Sequence, residues 1–179
     1  MKRVLLAMGL GLAWVAGAPV PPSPEYVLKA KILLVLLPYV RWPGQDAWGE
    51  RPFQVAVLGQ SPFGSHLDEA SRNLTVHRRP VQIRYIGKPG EAEGCQVLFI
   101  CASERYRLQP ILGWARGKPV LTMADDEDLI SQGIMVNLLL EGAFVRLAVN
   151  PDAAGEAGIF LGSQLLRNAR ILSTRRVAP

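Results

Sequence analysis

Gln96-Val97-Leu98-Phe99-Ile100-Cys101, the stretch Ser103 to Arg116, and Pro119-Val120-Leu121-Thr122 read in succession as strand, helix and strand. The two apolar runs are short and uncharged, so each predicts a strand buried on both faces, with Ser103 as the N-cap of the helix between them. Strands joined through a helix lie parallel, because only a long crossover returns the chain to the starting end of a sheet. A parallel sheet in turn needs helices over both of its faces.

The same alternation continues on either side. Upstream, Phe53 to Leu58 is an apolar strand, Gly59-Gln60-Ser61-Pro62-Phe63-Gly64 leads into an amphipathic stretch from about Phe63 to Ala70, and Pro80 to Ile86 alternates as another strand. Thr75 to Arg79 reads as a loop. Downstream, Asp125 to Ser131 predicts a short acidic helix, Ile134 to Leu140 with Ala143 to Val149 a hairpin around Glu141-Gly142, and Asp152 to about Ile171 a closing helix. Glu25 to about Val40 forms a helix kinked at Pro38 and ended by Trp42-Pro43. Its run Ile32-Leu33-Leu34-Val35-Leu36-Leu37 is apolar on most faces, which predicts burial. The expected fold is a single-domain α/β sandwich: a mostly parallel sheet, a C-terminal antiparallel hairpin at its edge, and helices on both faces.

At the amino terminus, Lys2 and Arg3 precede an uncharged apolar stretch from Val4 to Val15, and Ala16-Gly17-Ala18 supplies a small-x-small cleavage pattern. Twelve or so apolar residues make about 18 Å of helix, short of a bilayer core of about 30 Å. Residues 1–18 therefore read as a cleaved secretory signal peptide and the mature chain as exported. No cysteine stands directly after the signal, where Pro19 follows Ala18, so a lipoprotein is not expected. Residues 19–24 read as an extended proline-rich leader, 25–172 as one domain and 173–179 as a flexible tail. Without Lys2 and Arg3, 18 of the 20 basic residues remain against 15 acidic ones, a formal charge of +3. That surplus is mild; it suits anionic envelope polymers at least as well as nucleic acid, and no nucleic-acid partner is expected.

The chemistry-bearing residues are sparse. The Gly59 to Gly64 loop is followed by Ser65-His66 rather than Lys and Ser or Thr, so it cannot act as a phosphate loop; its second glycine also falls one residue late for a nucleophile elbow. Ser61 as helix cap with Pro62 at the first position explains it better. His66 and His77 lack acidic partners at ligand spacing, and neither a metal, a cofactor nor a catalytic set is expected. Asp125-Asp126-Glu127-Asp128 follows a strand end, where open α/β sheets bind ligands, so Asp125 and Asp126 are candidates for a ligand pocket; a solvated helix start is the simpler reading. Cys95 and Cys101 would stand about 20 Å apart along an extended strand, too far for a disulfide. Both are expected to be buried free thiols, or to bond to a second chain.

Several blocks together resemble the YfiR-like family of periplasmic proteins: Tyr39-Val40-Arg41-Trp42-Pro43, Val57-Leu58-Gly59, Pro62-Phe63-Gly64, Gly94 to Ile100, Lys118 to Thr122, Gly133 to Asn137, and Asn150-Pro151-Asp152-Ala153-Ala154 through Leu165 to Ala169. The resemblance spans about Glu25 to Leu172. It implies a non-catalytic repressor that binds the periplasmic sensor domain of an inner-membrane diguanylate cyclase and restrains cyclic di-GMP synthesis and biofilm signalling. An OmpA-like outer-membrane lipoprotein would sequester the repressor. Similar members carry a cysteine where this chain has Ala56, bonded to the one matching Cys95, and a second pair near Ile130 and Asn137. Both are missing here, which puts control by intramolecular disulfides in doubt.

The resemblance also implies a partner surface in the C-terminal region, with Asn150, Ala154, Ile159, Phe160, Leu161 and Leu165 as candidates. Those residues could equally pack the last helix onto the sheet. A homodimer is a further possibility. The alternative function is a periplasmic small-molecule sensor or carrier serving another membrane receptor or transporter, marked by a pocket near Asp125 or Asp126.

Overall fold

The computed structural model describes residues 23–172; residues 1–22, with the expected signal peptide and most of the expected leader, and the expected tail 173–179 lie outside the described residues. In chain order the elements are α1 (Pro24–Val35), β1 (Val40–Arg41), β2 (Phe53–Leu58), α2 (His66–Ser71), β3 (Thr75–Val76), β4 (Arg79–Ile86), β5 (Val97–Ile100), α3 (Leu108–Ala115), β6 (Leu121–Ala124), β7 (Val136–Glu141), β8 (Phe144–Val149), α4 (Pro151–Glu156), β9 (Phe160–Leu161), α5 (Ser163–Arg167) and β10 (Ala169–Ile171).

The main sheet has eight strands in the order β10-β8-β7-β6-β5-β2-β4-β3. From β7 to β4 every neighbouring pair is parallel. Its register explains the uniformly apolar runs. Val55 faces Val97, which faces Leu121, and Val57 faces Phe99, which faces Met123. These residues enter one core cluster with α1, α2, α4 and α5, while Ala56, Leu58, Leu98 and Ile100 enter a second with α3 on the opposite face. Each fully buried Val, Leu or Phe contributes roughly 1.5–3 kcal/mol, so a strand loaded on both faces anchors both layers.

The α/β sandwich with a mostly parallel sheet thus follows the sequence, and several details correct it. The β7–β8 hairpin is antiparallel but does not form the edge, because β10 pairs in parallel outside β8. The closing helix expected over 152–171 is broken into α4, β9, α5 and β10. Gly158 takes a left-handed φ of +71° after α4, and at Gly162 an added Cβ would lie 2.7 Å from the Tyr39 carbonyl oxygen. The close approach lets Gly162 N–H donate to that oxygen and lets β9 pair with β1.

Ser103 does not cap a helix. The chain first makes a 3-10 turn over Ala102–Arg107 and becomes α-helical only at Leu108, and Ser103 Oγ instead accepts from Gln60 N–H at 2.9 Å. Ser61 likewise accepts from Phe63 N–H rather than capping α2, whose start is delayed to His66 by Gly64 at φ +53°. The loop expected at Thr75 to Arg79 is a tight hairpin in which His77 and Arg78 both adopt positive φ, the geometry of a type I′ turn. His77 Nε2 holds that turn to Val40 O at 2.9 Å.

The helix expected to be buried throughout is not. Ala30, Leu33 and Leu34 enter the core, but Val35 is 62 % exposed, and Tyr39, in the 3-10 turn that follows α1, is 43 % exposed. α1 is covered on one side only, so its second apolar stripe faces solvent.

Candidate functional site

Strands β2, β5 and β6 end on the same side of the sheet. The chain leaves β2 for β4 on one flank and then crosses to β5 on the other, so the topological switch point, where open α/β sheets bind ligands, lies between β2 and β5. Side chains fill that position. Gly59, at φ +93°, follows β2, and an added Cβ would lie 2.5 Å from Ser103 Oγ and 2.7 Å from Glu104 Cγ. Cys101 N–H bonds to Leu58 O at 3.0 Å and Gly59 N–H to Ile86 O at 3.1 Å, closing the backbone across the same strand ends.

Beside this plug stands a buried polar cluster. Lys29 Nζ lies 3.2 Å from Asp125 Oδ2 and 2.5 Å from Glu25 Oε1; the Lys29 and Asp125 side chains are 2 % and 3 % exposed. The Tyr26 phenol is raised above its ordinary value, first by burial and then by the Asp125 charge and hydrogen bond. Asp126 is held by Arg105 Nη2 at 3.1 Å, and its carbonyl accepts from Asn137 Nδ2. Both candidate pocket carboxylates therefore have cationic partners within the chain. They fasten α1 and the 3-10 turn Ala102–Arg107 to the end of β6 and line none of the grooves described below.

Cys95 and Cys101 are both free and buried, in clusters on opposite faces of the sheet. Burial pushes the Cys101 thiol up to about 12, with the Asp125 and Glu104 charges adding to it. Cys95 is also raised by burial, partly offset by Arg84, whose Nη1 lies 3.5 Å from the sulfur. Neutral, enclosed thiols are poor nucleophiles. Ala56 shares the Cys95 cluster.

Of the C-terminal candidates, Asn150 is buried and caps α4, its Oδ1 accepting from Ala153 N–H at 3.0 Å. Ala154, Ile159, Leu161 and Leu165 belong to the core; Phe160 alone among the six is exposed, at 63 %. Phe160 stands on β9 opposite Arg41 of β1.

Sequence reasoning missed an apolar groove on the surface. Ile32, Val35, Leu36 and Tyr39 follow one another at helical spacing and form one wall of a groove of about 370 Å³, completed by Leu147 of β8 and by Gln164, Leu165, Arg167 and Asn168. A second groove continues from it, sharing Leu147, Arg167 and Asn168 and adding Glu141, Arg146, Ala169 and Arg170. The available signal was the surplus of apolar residues in α1, more than one buried stripe can use. Among the described residues no group of three or more His, Cys, Asp or Glu side chains is placed to hold a metal, and no helix is long and apolar enough to cross a membrane.

The fold is similar to two solved structures. A conserved domain protein from Vibrio cholerae O1 biovar eltor strain N16961 matches at 12 % identity and a TM-score of 0.57, over 84 % of this chain and 60 % of that one. The ABC domain in complex with L-Trp from Streptococcus pneumonia matches at 10 % identity and a TM-score of 0.55, over 83 % and 60 %. This chain thus spans 60 % of the length of each, and the likeness is one of fold. The sequence itself matches the YfiR/HmsC-like family model over residues 26–170, nearly all of the described chain. The chain belongs to the YfiR/HmsC-like family, the regulatory periplasmic proteins of the cyclic di-GMP system.

Proposed function

We propose that this protein binds the periplasmic sensor domain of an inner-membrane diguanylate cyclase and holds the cyclase in its inactive conformation. Family membership across residues 26–170 carries the reading. A regulator outside the cytoplasm can reach a cytoplasmic messenger only through a membrane partner, and it acts by binding one state of that partner better than the other. The surface suits this work: Val35, Tyr39, Phe144 and Phe160 expose apolar area that a partner can cover, whereas Ser103 and Glu104 fill the switch point that a small-molecule carrier would use. Sequestration by an OmpA-like lipoprotein would relieve the repression by competing for the free protein.

Deleting the gene tests the reading. Cellular cyclic di-GMP should rise and return to its starting level when the gene is restored. Unchanged nucleotide, with no membrane cyclase co-purifying with the tagged protein, would refute it.

A further inference from the structure

The groove between α1, α5 and β8 combines two properties that rarely meet on a solvated face. Its wall is apolar: Val35 is 62 % exposed, Ile32 and Leu147 are half-buried, and Leu165 is nearly closed from solvent. Its rim and its continuation are basic. Arg167 lines both grooves, and Arg146 and Arg170 line the second. The carboxylate there, Glu141, is engaged by Arg146 at 3.3 Å, which leaves Arg167 and Arg170 without an ion pair among the described residues.

The neighbouring strand edge is open at the same place. β8 runs from Phe144 to Val149, but β10 pairs only with Leu147, Ala148 and Val149, so Phe144 to Arg146 have a strand on the β7 side alone. A flat lipid surface could meet the arginines but could not enter a concavity of about 370 Å³, a volume on the scale of one or two large side chains. An apolar anchor flanked by carboxylates would meet both the wall and the rim.

We infer that this groove is a docking site for an acidic segment of a protein partner, one that seats a large apolar side chain against Val35, Tyr39 and Leu147 and sets carboxylates against Arg167 and Arg170. The inference rests on the proposed function, because the partner it addresses is the periplasmic domain of the cyclase.

The test measures the affinity of the purified protein for that periplasmic domain, using the parent, Arg167→Glu/Arg170→Glu and Val35→Glu. All three altered residues are exposed, and far-UV circular dichroism with thermal melting checks that each variant folds. Each variant should weaken binding by about tenfold or more, the parent affinity should fall as salt is raised, and Val35→Leu should bind like the parent. Parent-like binding by both variants would overturn the groove while leaving the regulator reading in place. Absence of binding by the parent would overturn both. Two further results would also overturn the inference: loss of binding to phosphatidylglycerol vesicles in the variants with cyclase binding unchanged, or a dimer that dissociates on Val35→Glu, since the occupant would then be a lipid surface or a second copy.

Discussion

Replacing Asp125 by Asn removes one charge from the buried cluster while keeping its shape. Lys29 is 2 % exposed and Asp125 3 % exposed, with 3.2 Å between Nζ and Oδ2. Breaking a buried pair costs about 3–5 kcal/mol, because the remaining charge stays out of water without its partner. Glu25 remains at 2.5 Å from Lys29 and is itself 27 % exposed, so the loss belongs at the lower end, about 3 kcal/mol. At roughly 2–4 °C per kcal/mol for a chain of this size, the melting temperature should drop by roughly 6–12 °C. Denaturant titration followed by tryptophan fluorescence gives the free energy directly. The double variant Lys29→Met/Asp125→Leu removes both charges and should recover to within about 1 kcal/mol of the parent. An Asp125→Asn cost below about 1 kcal/mol, or no recovery in the double variant, would refute the argument that this pair pins α1 to the sheet.

The plug at the switch point predicts that Gly59→Ala costs about 2 kcal/mol or more, from a positive φ and a clash with Ser103 and Glu104; urea unfolding would show it. Leu161→Ala should destabilise by about 2–5 kcal/mol, whereas Phe160→Ser should stay within about 0.5 kcal/mol, since only Phe160 is exposed; a matched pair of thermal melts decides. Both thiols should resist maleimide at pH 8 in the native protein and react on unfolding. For Cys101, whose folded value of about 12 lies above that of an ordinary thiol, the unfolded chain ionises first, so stability should be full below about pH 9 and fall as pH rises towards 12. Stability unchanged by Cys101→Ala across that interval would contradict the shift.

The sheet was legible because its strands are buried on both faces: Val97 to Ile100 and Val55 to Leu58 could hardly be anything else once helices lay between them. The C-terminal segment was not, because its apolar residues fit a helical period and the close approach at Gly162 depends on Tyr39, far away in sequence. For the same reason the sequence offers Asp125 as a pocket candidate or part of a solvated helix start, and not as one half of a buried ion pair. Its partner Lys29 lies 96 positions away, and no local pattern announces a pair that only the fold brings together. The groove beside α1 was hidden differently: the apolar excess in α1 was visible, but burial was its simplest explanation, and only the fold shows that one stripe stays uncovered.

The central claim is repression through direct contact with the cyclase, and reconstitution tests it most directly. Membranes bearing the full-length cyclase, oriented with the periplasmic domain accessible, would be supplied with GTP on the catalytic side, and cyclic di-GMP formation followed as the purified protein is added. The account predicts saturable inhibition whose midpoint matches the binding affinity for the isolated periplasmic domain. Synthesis that continues at an unchanged rate with the periplasmic domain fully occupied would contradict it.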